Sequence, residues 1–206
     1  MPTMPNYLEC RLHLAGGEAR NFVAEGPEAV QNILDQVRRG RVFQEASLVI
    51  AQDLQVHVFP GSAIERIDLI PDETLGEDFV IQDVGTENGA VGREITEEVW
   101  RERVEEMERT YTSRREALGR EGDPIHAYGQ ISFSGGKSVF IDFSLSTPGV
   151  NEQRRYLRHV FEIPSLPLLR RGGGVSILNP GRVVHAAFHP GAEPPANAWR
   201  ARPQVG

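Results

Sequence analysis

A single cysteine, Cys10, stands in the 206 residues of this chain. A disulfide framework within one chain is therefore excluded, and a reducing, cytoplasmic compartment is the expectation. Apolar runs are short: none approaches the roughly 20 residues that a membrane-spanning helix needs. The opening residues, MPTMPNYLECRLHL, lack a basic stretch followed by an apolar one, so no secretory leader is expected.

Recognisable chemistry is equally scarce. GGKS at 135–138 resembles the end of a phosphate-binding loop, but the required earlier glycine is replaced by Ile131. A strand-like VFIDF follows where that loop needs a helix. The segment is read as a hairpin turn. RRGGGVS at 170–176 leads into a strand and lacks dinucleotide-binding spacing. The stretch from Asp83 to Glu94 has acids at both ends of a calcium loop, yet Asn88 stands where glycine is required. Of six histidines, His13 and His57 fall on the polar phase of strands and are expected to be exposed. His185 and His189 lie four apart in a strand, too far for easy joint ligation of a metal. Cys10 sits on an apolar phase and is expected to be buried and inert. No serine lies in a nucleophile elbow. No catalytic, cofactor-binding or metal-ligating residue is assigned, and no cofactor is expected.

What is present is an uneven distribution of charge. The net of −7 conceals 6 basic and 15 acidic residues in 1–92, 7 and 10 in 93–124, and 9 and 4 in 125–206. An acidic first half and a basic second half attract each other, within a chain or head-to-tail between chains.

There is also an echo. VHVFPGSAIERIDLIP at 56–71 is answered by VSILNPGRVVHAAFHP at 175–190, each a strand, a Pro-Gly corner and a second strand. Upstream, RLHLAGG at 11–17 is answered by QISFSGG at 130–136. Leu8, Cys10, Leu12 and Leu14 alternate with polar residues, the period of a half-buried strand. Pro27 opens a helix whose apolar face is Ala29, Val30, Ile33, Leu34 and Val37. Ser47 to Ala51 reads as a strand. Tyr156, Leu157, Val160 and Phe161 mark the corresponding helix of the second half.

These patterns predict an α+β chain of two small duplicated units. Each is a hairpin, a helix and three short antiparallel strands, forming a curved sheet under one helix or a small barrel. The expected boundaries are 1–73 for the first unit, 74–92 for an acidic linker, 93–121 for a long amphipathic helix, 125–190 for the second unit and 191–206 for a Pro-rich tail. The helix rests on a stripe of Ile95, Val99, Trp100, Val104, Met107, Tyr111 and Leu118. At about 1.5 Å per residue its central 24 residues would form a rod of about 36 Å.

The function expected from these features is non-catalytic: an assembly or accessory subunit working through protein–protein contacts. Its partners would be other protein subunits or a second copy arranged head-to-tail. Trp100, Val104, Met107, Tyr111 and Trp199 are the candidate contact residues. The alternative is a nucleic-acid or anionic-ligand site on the basic second unit, built from Arg154, Arg155, Arg158, Arg170 and Arg171. An enzyme of unrecognised type ranks third.

Overall fold

The computed structural model describes residues 6–38, 42–52, 54–72, 92–159 and 161–199. The first hairpin forms as the alternation requires: β1 (Tyr7–Leu14) pairs with β2 (Ala19–Glu25) around Gly17, whose φ of 84° suits glycine. Leu8, Cys10 and Leu12 point into the core, where Val30 and Leu34 of α1 (Pro27–Arg38) cover them. Two strands follow, β3 (Ser47–Ala51) and β4 (Val56–Pro60), then a single 3₁₀ turn and β5 (Ile64–Pro71). After β6 (Gly92–Ile95) come α2 (Glu97–Thr110) and α3 (Arg114–Leu118). The remainder is β7 (Pro124–Phe133), β8 (Ser138–Ser146), α4 (Val150–His159), β9 (Leu166–Leu169), β10 (Val175–Leu178), another 3₁₀ turn and β11 (Val183–His189).

The expectation of two separate small units joined by a long helix is overturned. The order of elements does recur, but among the described residues nine strands form one mixed sheet in the order β11-β7-β8-β6-β9-β10-β5-β1-β2, and no barrel closes. Among the described residues strands outweigh helices, so this α+β fold is dominated by its sheet. The halves join directly: β10 pairs with β5 antiparallel, Val175 opposite Leu69 and Ile177 opposite Ile67. β6 slots between β8 and β9, pairing antiparallel with the first and parallel with the second. All four β10 residues are buried. A strand buried on both faces needs a neighbour on each side for its backbone groups, and β5 supplies the second one. Among the described strands only β3 and β4 stand apart, as a two-stranded ribbon.

The long amphipathic helix is corrected too. Residues 92–95 are strand, and the helix runs only from Glu97 to Thr110, about 21 Å at 1.5 Å per residue. Tyr111 is extended (φ −117°, ψ 135°) and a separate five-residue helix follows. Local hydrogen bonds explain the break. Ser113 Oγ accepts from Glu116 N at 3.2 Å, while the Glu116 carboxylate accepts from Thr112 N at 2.8 Å. This reciprocal cap starts a new helix, and its geometry is incompatible with helical continuation through 111–113. At the other end Thr96 caps α2 by accepting from Val99 N. Thr96→Ala is expected to lower stability by about 1 kcal/mol, read by urea denaturation.

The acidic linker, including the stretch compared with a calcium loop, lies outside the described residues up to 91. Among the described residues no helix is long and apolar enough to cross a membrane.

Candidate interaction surface

β5 is the meeting point of the two halves, and it carries three charged residues in an otherwise apolar strand. Glu65 is 2% exposed and Asp68 2% exposed. Glu65 Oε1 accepts from Gly135 N at 2.7 Å and from Ser134 Oγ at 3.0 Å, so the carboxylate grips the β7–β8 turn. The GGKS segment is thus a structural turn: Gly136 has φ 83°, and Lys137 Nζ donates to Gly17 O at 3.1 Å. On the other face Asp68 accepts from Ser176 Oγ at 2.7 Å and contacts His13 Nε2 at 3.0 Å. Arg66 Nε also donates to it, and the Arg66 guanidinium forks onto Glu94 at 2.8 and 2.9 Å. Arg170 Nε sits 3.4 Å from Asp68, an ion pair out of line for a hydrogen bond.

Burial by itself would raise the Asp68 pKa. Hydrogen bonds from His13, Arg66 and Ser176, with the Arg66 charge, outweigh burial and hold it well below the usual carboxylate range. This cluster joins β1, β5, β6, β10 and the β9–β10 turn. It does not arrange a nucleophile: Ser176 is fully buried and its hydroxyl is directed at a carboxylate. Burial first, and then Glu9, push the Cys10 thiol up to about 12, so it stays protonated at neutral pH. Among the described residues no group of three or more His, Cys, Asp or Glu is placed to hold a metal ion.

The predicted contact residues divide. Trp100 packs against Phe140 and His189, with ring centroids 5.3 and 5.7 Å apart, and Val104 is buried. These two dock α2 onto its own sheet. Met107 and Tyr111 line a shallow groove of about 220 Å³ with Arg114, His189 and Pro190. Trp199 is 99% exposed and joins neither group.

Two of the predicted arginines face different acids. Arg154 lies 3.7 Å from Glu193, which Arg114 also approaches. Arg170 is turned to Asp68 and to the Gly173 carbonyl. Arg155 and Arg171 are exposed. The Arg158 side chain lies outside the described residues.

The surface that the sequence reading missed is the β3–β4 ribbon. Leu48, Ile50 and Phe59 pack against the core, and His57 joins them, stacked on Phe59 and edge-on to Phe22. His57 was expected to face solvent, so the alternation of β4 is inverted. The aromatic contacts with Phe22 claim the His57/Phe59 face, and Val56 and Val58 are turned outward. Val49 is directly opposite Val58, and Ala51 opposite Val56. The valines are 57%, 65% and 59% exposed at 49, 56 and 58, and Leu54 beyond them is 98% exposed. The ribbon is therefore apolar on both faces, and its described surroundings cover one. The signal was present in SLVIA, whose consecutive Leu48, Val49 and Ile50 mark a strand suited to burial on both sides. Comparisons with protein-family models, with curated proteins and with solved structures return no match for this chain.

Proposed function

We propose that this chain is a non-catalytic cytoplasmic protein that works through protein–protein contacts, as an assembly or accessory subunit of a larger complex. The observation that carries this reading is the outward face of the β3–β4 ribbon, where Val49, Val56 and Val58 form an uncharged apolar row with Leu54 beyond it. A contiguous apolar patch costs free energy in water, and such patches mark contact sites. The arginine reading has less support, because Arg154 and Arg170 face acids of their own chain.

The test is a paired substitution, Val49→Lys with Val58→Glu. These residues are direct cross-strand partners, so opposite charges keep the ribbon paired while making its face polar. The expected result is at least a tenfold drop in stoichiometric partner recovered by the tagged chain from its native source, with an unchanged circular dichroism spectrum. Equal recovery by both proteins would refute the reading.

A further inference from the structure

We infer that Trp199 of one copy of this chain seats in the groove at Met107, Tyr111 and Pro190 of a second copy, which returns the exchange. The inference goes beyond the ribbon reading and uses none of the ribbon's residues.

A knob and a hole on the same chain carry it. The knob is Trp199, 99% exposed beyond β11. A large amphipathic ring has much to gain by leaving water, and tryptophan is enriched at the centres of protein contacts. The hole is the groove where the end of α2, α3 and the Pro190 corner meet. Sites for cofactors and drug-sized molecules run from roughly 300 Å³ upward. At about 220 Å³ this groove has room for a single large side chain. Its lining suits an aromatic one: Met107 offers a thioether to the ring edge, and Arg114 a guanidinium to the ring face.

Charge matches the knob to the hole. Glu108 also lines the groove, and α2 carries six acidic residues against three arginines. Trp199 is followed in the sequence by Arg200 and Arg202, and no acid follows Glu193. The basic flank of the knob and the acidic helix beside the hole attract each other.

The exchange runs between copies because the segment leaves its own groove. Gly191 lines that groove, but two residues on the chain is held to α4. Glu193 N donates to Gln153 Oε1 at 2.8 Å, and the Glu193 carboxylate lies 3.7 Å from Arg154. Beyond this anchor Trp199 stands in solvent. The six residues from Glu193 onward reach at most about 20 Å. The arm is rooted beside the groove, so a copy near enough to receive an arm is near enough to return one, and the contact closes as a pair. Two such anchors bury less than the roughly 1,200 Å² of a stable interface, so the association is weak and concentration brings it out.

Complementation provides the test, on the full chain. Trp199→Ala removes the knob, and because the side chain is exposed the fold is untouched. Met107→Arg blocks the hole with a charge that repels the basic flank. An unchanged circular dichroism spectrum and melting temperature qualify that variant, and Tyr111→Ala replaces it in the mixture if they change. Sedimentation is followed from micromolar to near-millimolar concentration. The wild-type mass should rise toward twice the monomer, and each variant alone should associate about tenfold more weakly or worse. An equimolar mixture of Trp199→Ala with Met107→Arg should associate more strongly than either alone, since a mixed pair keeps one intact knob and one intact hole. A wild type that stays monomeric overturns the inference. So does Trp199→Ala that associates as the wild type does, or a mixture no stronger than its components. The paired substitution on the ribbon reads a different surface, so either inference can fail while the other stands.

Discussion

Asp68→Ala should destabilise the fold by about 3–5 kcal/mol, the cost of breaking a buried charge network by removing one partner. That is a large share of the roughly 5–15 kcal/mol that holds a domain together. The substitution leaves the Ser176 hydroxyl and Arg66 Nε without their acceptor and takes away the anion facing Arg170. These groups come from β5, β10 and the β9–β10 turn, so the damage falls on the seam between the halves. Guanidinium denaturation measures it. A loss under about 1 kcal/mol would show that the network is a surface decoration rather than a seam. Acid provides a second reading of the same group. The Asp68 pKa is lowered in the folded state from an ordinary value of 3.8. The folded form therefore binds this proton more weakly than the unfolded form does. The stabilisation is fully present above the ordinary carboxylate range and is lost as pH falls through and below it. Wild-type stability should decline below about pH 4. In Asp68→Asn that part of the decline should be absent, which comparing the two stability–pH curves would reveal.

Gly174→Ala should cost about 3 kcal/mol or more, and Gly173→Ala about 1 kcal/mol. Both glycines have positive φ, 97° at 173 and 81° at 174, so both substitutions carry backbone strain. They differ in surroundings. A Cβ at 173 meets nothing within 4 Å, whereas one at 174 collides with the Leu69 carbonyl and crowds Pro71 Cδ at 3.2 Å. Leu69 belongs to β5, so the Gly174 methyl would push β10 away from the strand that joins the halves. Arg170 N donates to Gly174 O at 3.0 Å, and the same turn positions the Arg170 side chain against Asp68. Thermal unfolding of the two variants separates strain from collision. Equal losses would mean that the β5–β10 contact is looser than the close approach requires.

Much of the local structure was legible before any tertiary contact was considered. Leu8, Cys10 and Leu12 had to share a face because their spacing is the strand period. Pro27 had to open a helix because its missing N–H needs no partner there. Gly17 and Gly136 had to be turns, since the chain reverses at positive φ. The helix break at 111–113 was also legible and was passed over: Ser113 and Glu116 have capping-box spacing, and that local signal prevails over a longer apolar stripe. The charge asymmetry between the halves was visible, but its use was not. It places Arg170 of the basic half against Asp68 of the acidic half within one chain.

Other features could not be read along the chain, because they depend on which segments meet. IERIDLIP reads as a strand with misplaced charges until Ser176, His13, Glu94 and the Ser134-Gly135 turn are brought to it. Ser176 and His13 then account for Asp68, Glu94 for Arg66, and the turn for Glu65. VHVFP reads as a strand with valines inward. Phe22, more than thirty residues earlier, decides otherwise by claiming His57 and Phe59. So the amino-acid order settled periods, turns, caps and the recurrence of a hairpin, a helix and a strand–corner–strand. Tertiary structure settled that β5 and β10 pair and that the valines of the ribbon face solvent. The physical reason is range. Periods and caps are satisfied by atoms a few residues apart, whereas strand partners and the side of a ribbon that is buried depend on segments distant in sequence. An apolar ribbon with two nearly equivalent faces turns inward whichever one finds aromatic company.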